Sequence, residues 1–269
     1  MTLSQAVGGF KLTEGEDMPT IRLLGFAGEN RALHPALLRE LTQAAIDFQD
    51  DIDTRVVIVA GRGAHFCAGA DLKAAPPPDA PRATLLRRAR DARAGSRLMA
   101  ALLEIPQVTI AAVHGAALGG GCCIATACDV RIGAEGAVCG YPEIDRGMNL
   151  QWRALPLCTR LIGPARAKRM LILGRHEPAS LLLEWGFFDA VVPAAQLHDE
   201  ARQLALEYAA KPPLAAQMIK RSVDAVSNAF GDAVMHMDHE QWLLTSLSAD
   251  YREGIAAFRE RRKPRFEGD

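Results

Sequence analysis

The sequence has almost no excess charge of either sign: 31 Lys and Arg stand against 32 Asp and Glu, for a formal net charge of −1. That balance argues against a nucleic-acid binder and against an electrostatic anchor on an anionic membrane. The first twenty residues, MTLSQAVGGFKLTEGEDMPT, lack a basic start followed by an apolar core, so no secretory leader is expected. The six cysteines include no Cys-x-x-Cys pair, and Cys122 and Cys123 are adjacent, which is poor geometry for tetrahedral metal ligation. All six sit in apolar segments, as free buried thiols in a reducing cytosol would, so the expected location is cytoplasmic and no metal site is expected. A GxGxxG pattern with a downstream acid is also missing.

The most informative absence is local. Between Glu104 and Asp129 there is no Asp, Glu, Lys or Arg, and the run holds the triple glycine Gly119, Gly120 and Gly121. A membrane helix needs about 20 apolar residues, but Pro106, Gln107, His114 and the glycines cut this stretch into short pieces with no basic flank. Gly115 and Gly120 have the separation of a phosphate loop, yet Gly121 and Cys122 stand where Lys and Ser/Thr would be needed. The remaining reading is a buried parallel strand, QVTIAAV, followed by a short buried helix entered through glycines.

What is present fits an α/β core. At 269 residues, 49% apolar and 23% charged, the chain suffices for one large domain or one domain with an appendage. Strands are expected over 21–26, 55–61, 107–113 and 129–134. Helical spacing places Leu37, Leu41, Ala45 and Phe48 on one face, and Leu85, Ala89, Ala92, Ser96, Met99 and Leu103 on another. The proline-rich 74–81 reads as a loop, and helices are expected over 196–211, 213–229, 231–246 and 249–261. This tail must pack on the core or on a neighbouring subunit. The arginines at 82, 87, 88, 90, 93 and 97 read as a solvated helix face, the alternative being a contact to a polyanionic ligand. His236 and His239 have helical spacing for a metal but lack a third ligand, so a surface pair is expected.

Three segments converge on chemistry: HFCAGADLK (65–73), HGAALGGGCCIATACDVRI (114–132) and YPEIDRG (141–147). The first bends through Gly69 and leaves N–H groups unpaired near Ala70. The second opens a helix at the glycines, where free N–H groups and the helix dipole favour negative charge. Two such donors meeting at one point make an oxyanion hole. The third supplies a carboxylate, Glu143. With these blocks, and with LIGPARAKRMLILGRHEPASLLLEWGFFDAVVP and REGIAAFRERRKPRF further on, the chain resembles the crotonase (enoyl-CoA hydratase/isomerase) superfamily over nearly its whole length.

The resemblance implies an α/β fold, a spiral of ββα units, with residues 1–195 forming the core with the CoA and active sites. Residues 196–269 would form a helical region for trimerisation and closure of the CoA site. It implies an acyl-CoA substrate, a homotrimer or dimer of trimers, and no separate cofactor, because coenzyme A enters with the substrate. The thioester carbonyl would sit between the N–H groups of Ala70 and Gly120, with Glu143 as acid/base. Arg31, Ala32, Leu33, Ala68, Asp71 and Leu72 match positions lining the CoA groove, and Gly119, Cys123, Pro142 and Trp152 fall around the acyl group.

Two departures stand out. Hydratases of this family carry a second glutamate on the glycine-rich helix, where this chain has Cys123. The GxxPGxGG block is replaced by GMNLQWRALP (147–156), which puts Trp152 and Arg153 where small residues are expected and reshapes the acyl pocket. His34 and His114, where the family often has Asn, read as structural substitutes. A single carboxylate suits double-bond isomerisation of a 3-enoyl thioester, whereas hydration normally calls on two groups. The alternatives are thioester hydrolysis with Cys123 as nucleophile and His114 as base, or a non-catalytic CoA-binding protein.

Overall fold

The computed structural model describes residues 9–11, 20–26, 33–70 and 83–269. The elements up to the candidate site are β1 (Gly9–Lys11), β2 (Thr20–Phe26), α1 (Pro35–Asp47), β3 (Thr54–Gly61), α2 (Leu85–Leu103), β4 (Val108–Val113), β5 (Ala116–Leu118), α3 (Gly120–Ala127), β6 (Val130–Ala134) and β7 (Val138–Gly140). A 3-10 turn, Pro142–Arg146, leads to α4 (Ala154–Ile162), α5 (Pro164–Ile172), β8 (Glu177–Pro178), α6 (Ala179–Glu184) and β9 (Ala190–Val192). The remainder is helical: α7 (Leu197–Ala209), α8 (Pro213–Ser227), α9 (Gly231–Met235), α10 (Asp238–Thr245) and α11 (Ala249–Glu260).

A six-stranded sheet runs β1-β2-β3-β4-β6-β9, parallel throughout except for β1, and a second sheet runs β5-β7-β8. Val56, Val57, Ile58 and Val59 are all buried, as expected of a parallel strand covered on both faces. The chain deals strands alternately to the two sheets. β4 joins the large sheet and β5 the small one, and α3 follows; β6 and β7 repeat the step before α4. The segment after β3 does the same in miniature, since Cys67 bridges Ala117 before α2 begins. This coil of ββα units brings the ends of β3 and β5 side by side.

All four expected strands form, each within a residue or so of its expected limits. The strands β5, β7, β8 and β9 are two or three residues long, too short for a periodicity to show. Leu37, Leu41, Ala45 and Phe48 are buried as a set. On α2 the buried face is Ala92, Gly95, Leu98, Met99, Ala101 and Leu102, while Leu85, expected inside, is exposed at the helix start. The loop expected over 74–81 lies outside the described residues. The helix expected over 231–246 is interrupted at His236–Met237, and Asp238 at the restart is buried. α7 packs across β2, β3, β4 and β6 and is part of the core. α10 and α11 return to α2 and the 3-10 turn. α8 is held by Lys220, whose Nζ donates to the Gln107 carbonyl at 2.8 Å and pairs with Asp129 at 2.7 Å. Among the described residues no helix is long and apolar enough to cross a membrane.

Candidate active site

α3 begins at Gly120 after Gly119, whose φ of 53° favours glycine. A side chain there would also collide with Glu143, because a Cβ on Gly119 would lie 2.6 Å from Glu143 Oε1. Gly119 is therefore needed twice, once for the turn and once to let the carboxylate approach. Gly69, with φ of 88°, sits against the Leu118 carbonyl and brings the following residue, Ala70, up to the start of α3. The N–H groups of Ala70 and Gly120 have no acceptor among the described residues. That of Gly120 also lies in the first turn of a helix, where no intrahelical partner exists.

Ala70, Gly120, Cys123, Glu143 and Trp152 line one cavity of about 240 Å³. The expected acid/base, both expected N–H donors and the two positions that depart from the family pattern thus meet around one space. Glu143 is half-buried as a residue, but its Oε2 is fully enclosed and has no hydrogen-bond partner among the described residues. Loss of hydration pushes its pKa from 4.5 up to about 7, against smaller opposing effects of a backbone hydrogen bond and Arg146. A carboxyl group poised there can both take and return a proton near neutral pH.

Cys123 is 1% exposed, and burial, then the nearby Glu143 charge, raises its pKa well above the usual thiol value. The thiol stays neutral and is a poor nucleophile. His114, its nearest candidate base in sequence, is engaged elsewhere. Its Nε2 lies 2.6 Å from the Gly63 carbonyl, its ring sits edge-on to His198, and it does not line the cavity. His34 is structural as well, with Nδ1 capping α1 by accepting from the Leu37 N–H at 3.2 Å.

Other expected residues stand back from the cavity. Leu33 is buried behind Gly120, Pro142 is buried in the 3-10 turn, and Ala68 is exposed beside Gly69. Arg31, Ala32, Asp71 and Leu72 lie outside the described residues. The arginine face of α2 is only partly solvated: Arg88 donates to Ser246 Oγ at 2.9 Å and Arg93 contacts His239. His236 contacts the Ala233 carbonyl, and among the described residues no metal-ligating cluster forms.

Sequence reasoning missed Met148, Leu150, Gln151, Trp242 and Tyr251, which complete the cavity wall. The first three belong to the irregular segment after Glu143. Trp242 and Tyr251 arrive from α10 and α11, about a hundred residues on, with no local motif to announce them. Trp242 Nε1 donates to Met148 Sδ at 3.1 Å and ties the tail to that segment.

The family described as enoyl-CoA hydratase/isomerase matches residues 27–269. A probable enoyl-CoA hydratase of Mycobacterium tuberculosis is 37% identical over 238 residues, covering 87% of this chain and 89% of the relative. One of Bacillus subtilis is 30% identical over 243 residues, covering 88% and 91%. Among solved structures, an enoyl-CoA hydratase from Bacillus anthracis superposes with a TM-score of 0.73 at 31% identity, covering 98% of this chain and all of that one. One from Mycobacterium avium subsp. paratuberculosis reaches a TM-score of 0.82 at 24% identity, covering 92% and 95%, and speaks to the fold alone. With its spiral of ββα units and helical C-terminal region, the chain belongs to the enoyl-CoA hydratase/isomerase family.

Proposed function

We propose that the protein moves a proton within an enoyl-CoA thioester through an enolate, with Glu143 as the acid/base. The observation that carries this reading is the enclosed Glu143 Oε2, without a hydrogen-bond partner among the described residues, on a cavity also lined by Ala70 and Gly120, whose backbone N–H groups have no acceptor among those residues. As carboxylate, Glu143 takes a proton from C2 of a 3-enoyl thioester. The electron pair moves onto the thioester oxygen, held between the N–H groups of Ala70 and Gly120, where preorganised donors stabilise charge that develops only in the transition state. Collapse of the enolate shifts the double bond to C2–C3, and Glu143 returns the proton to C4. Among the described residues Glu143 is the one carboxylate lining the cavity, and in this reading it does both transfers.

Hydration is a second reading with its own support. Gln151 lines the same cavity, and its Oε1 is enclosed without a partner among the described residues, so its amide can hold a water. Several relatives are also named enoyl-CoA hydratases. We propose further that the protein works in the cytoplasm, uses no separate cofactor, and assembles as a trimer or dimer of trimers. α8 supports assembly, since Leu214, Met218, Ile219, Val223 and Val226 are all exposed along it. The test is a panel of 2-enoyl-, 3-enoyl- and branched acyl-CoAs, with products identified by mass and by deuterium taken up from D2O. Double-bond migration with deuterium incorporation supports isomerisation, and addition of one water supports hydration. No turnover of any member would refute enolate chemistry.

A further inference from the structure

Trp152 occupies a site built for it from three separate parts of the chain. Its indole lies on Gly95 of α2 and on Gly120 of α3, where a Cβ at either position would overlap the ring. Trp152 and Arg153 have φ of 69° and 57°, two consecutive non-glycine residues in the left-handed region. Such a pair persists only where the surroundings enforce it. The enforcing group is Asp238, 2% exposed at the start of α10, whose Oδ2 accepts from the Arg153 N–H at 3.1 Å and from Ser96 Oγ at 3.0 Å. A buried carboxylate on the helical tail thus fixes the turn, and the turn presses the indole into the slot between α2 and α3.

We propose that Trp152 sets an upper limit on acyl length and restricts the protein to short-chain acyl-CoA thioesters, with Asp238 as its positioning residue. This rests on the acyl-CoA reading above. The ring lies over Gly120, beside the point where the thioester oxygen is held, so an acyl chain extending past Glu143 meets the indole within a few carbons. The whole cavity measures about 240 Å³. Pockets that enclose drug-sized ligands run from about 300 to 1,000 Å³. Without the indole, the slot between Gly95 and Gly120 would continue the cavity between the two helices.

The test is kcat/KM for enoyl-CoAs from C4 to C12, compared between wild type, Trp152→Ala, Trp152→Phe and Asp238→Ala. Wild type should lose kcat/KM steeply beyond about six carbons. Each methylene newly accommodated is worth about fourfold in binding, so Trp152→Ala should raise the C10:C4 ratio at least about 30-fold. Trp152→Phe should give a smaller rise, and it carries the test should the alanine variant fail to fold. Asp238→Ala removes the oxygen that accepts from Arg153 and Ser96, so it should also raise the ratio, which a residue serving stability alone would not do. A wild type that takes C10 as well as C4, or a ratio unchanged within threefold in the folded Trp152 variants, overturns the inference while leaving the acyl-CoA reading intact. Absence of wild-type turnover at every length refutes that reading, and the inference with it.

Discussion

The raised pKa of Glu143 gives the proposed acid/base a signature in stability that is independent of any substrate. The carboxyl titrates near 4.5 when solvated and near 7 in the fold. Between those values the folded protein keeps a proton that the unfolded chain has released, so this group makes stability fall as pH rises through the window. The difference of about 2.5 units, at about 1.36 kcal/mol per unit, corresponds to roughly 3.4 kcal/mol. Glu143 is half-buried, and water reaching it reduces this to about 2–3 kcal/mol. Glu143→Gln has nearly the same shape and never ionises, so it should gain on wild type as pH rises. The difference in unfolding free energy should grow by about 2–3 kcal/mol between pH 4.5 and 8 and then level off. In a thermal melt that is a relative gain of about 4–12 °C for a chain of this size. Urea or thermal unfolding of both proteins at one fixed concentration, in half-unit pH steps, measures it, and the concentration must be fixed because assembly contributes to stability. Parallel pH profiles for the two proteins would refute the buried-carboxyl argument, and a wild type that gains on the variant with rising pH would reverse its sign.

The same substitution should lower turnover by about 100-fold or more while CoA binding survives. In wild type, kcat/KM should rise with pH about a midpoint near 7, as the carboxyl becomes the carboxylate that accepts the substrate proton. Turnover of Glu143→Gln equal to wild type would move the acid/base elsewhere, Asp145 first. Cys123→Ala should keep turnover within about tenfold, since the thiol is held neutral by burial; complete loss in a folded variant would restore a chemical role for the sulfur. Light scattering at micromolar protein should show a trimer or hexamer, and a monodisperse monomer would leave the apolar face of α8 unexplained.

Features that local chemistry encodes were legible in the amino-acid order alone. The β-branched runs specified β2, β3, β4 and β6, because a strand buried on both faces has little choice of residue. Glycines at 69 and 119–121 marked where backbone must turn sharply and leave N–H groups free, and Pro142–Glu143 marked the carboxylate that faces them. The tertiary structure decided how enclosed that carboxylate is, and hence its pKa near 7, since burial is a property of everything packed around a group. It also decided the far wall of the cavity. Trp242 and Tyr251 reach it only because α10 and α11 fold back over the 3-10 turn, and no periodicity in the tail distinguishes them from residues facing solvent. Trp152 lies between the two cases. Its departure from the family pattern was legible, but its seat on Gly95 and its tie to Asp238, 86 residues later, exist only once the helices are packed.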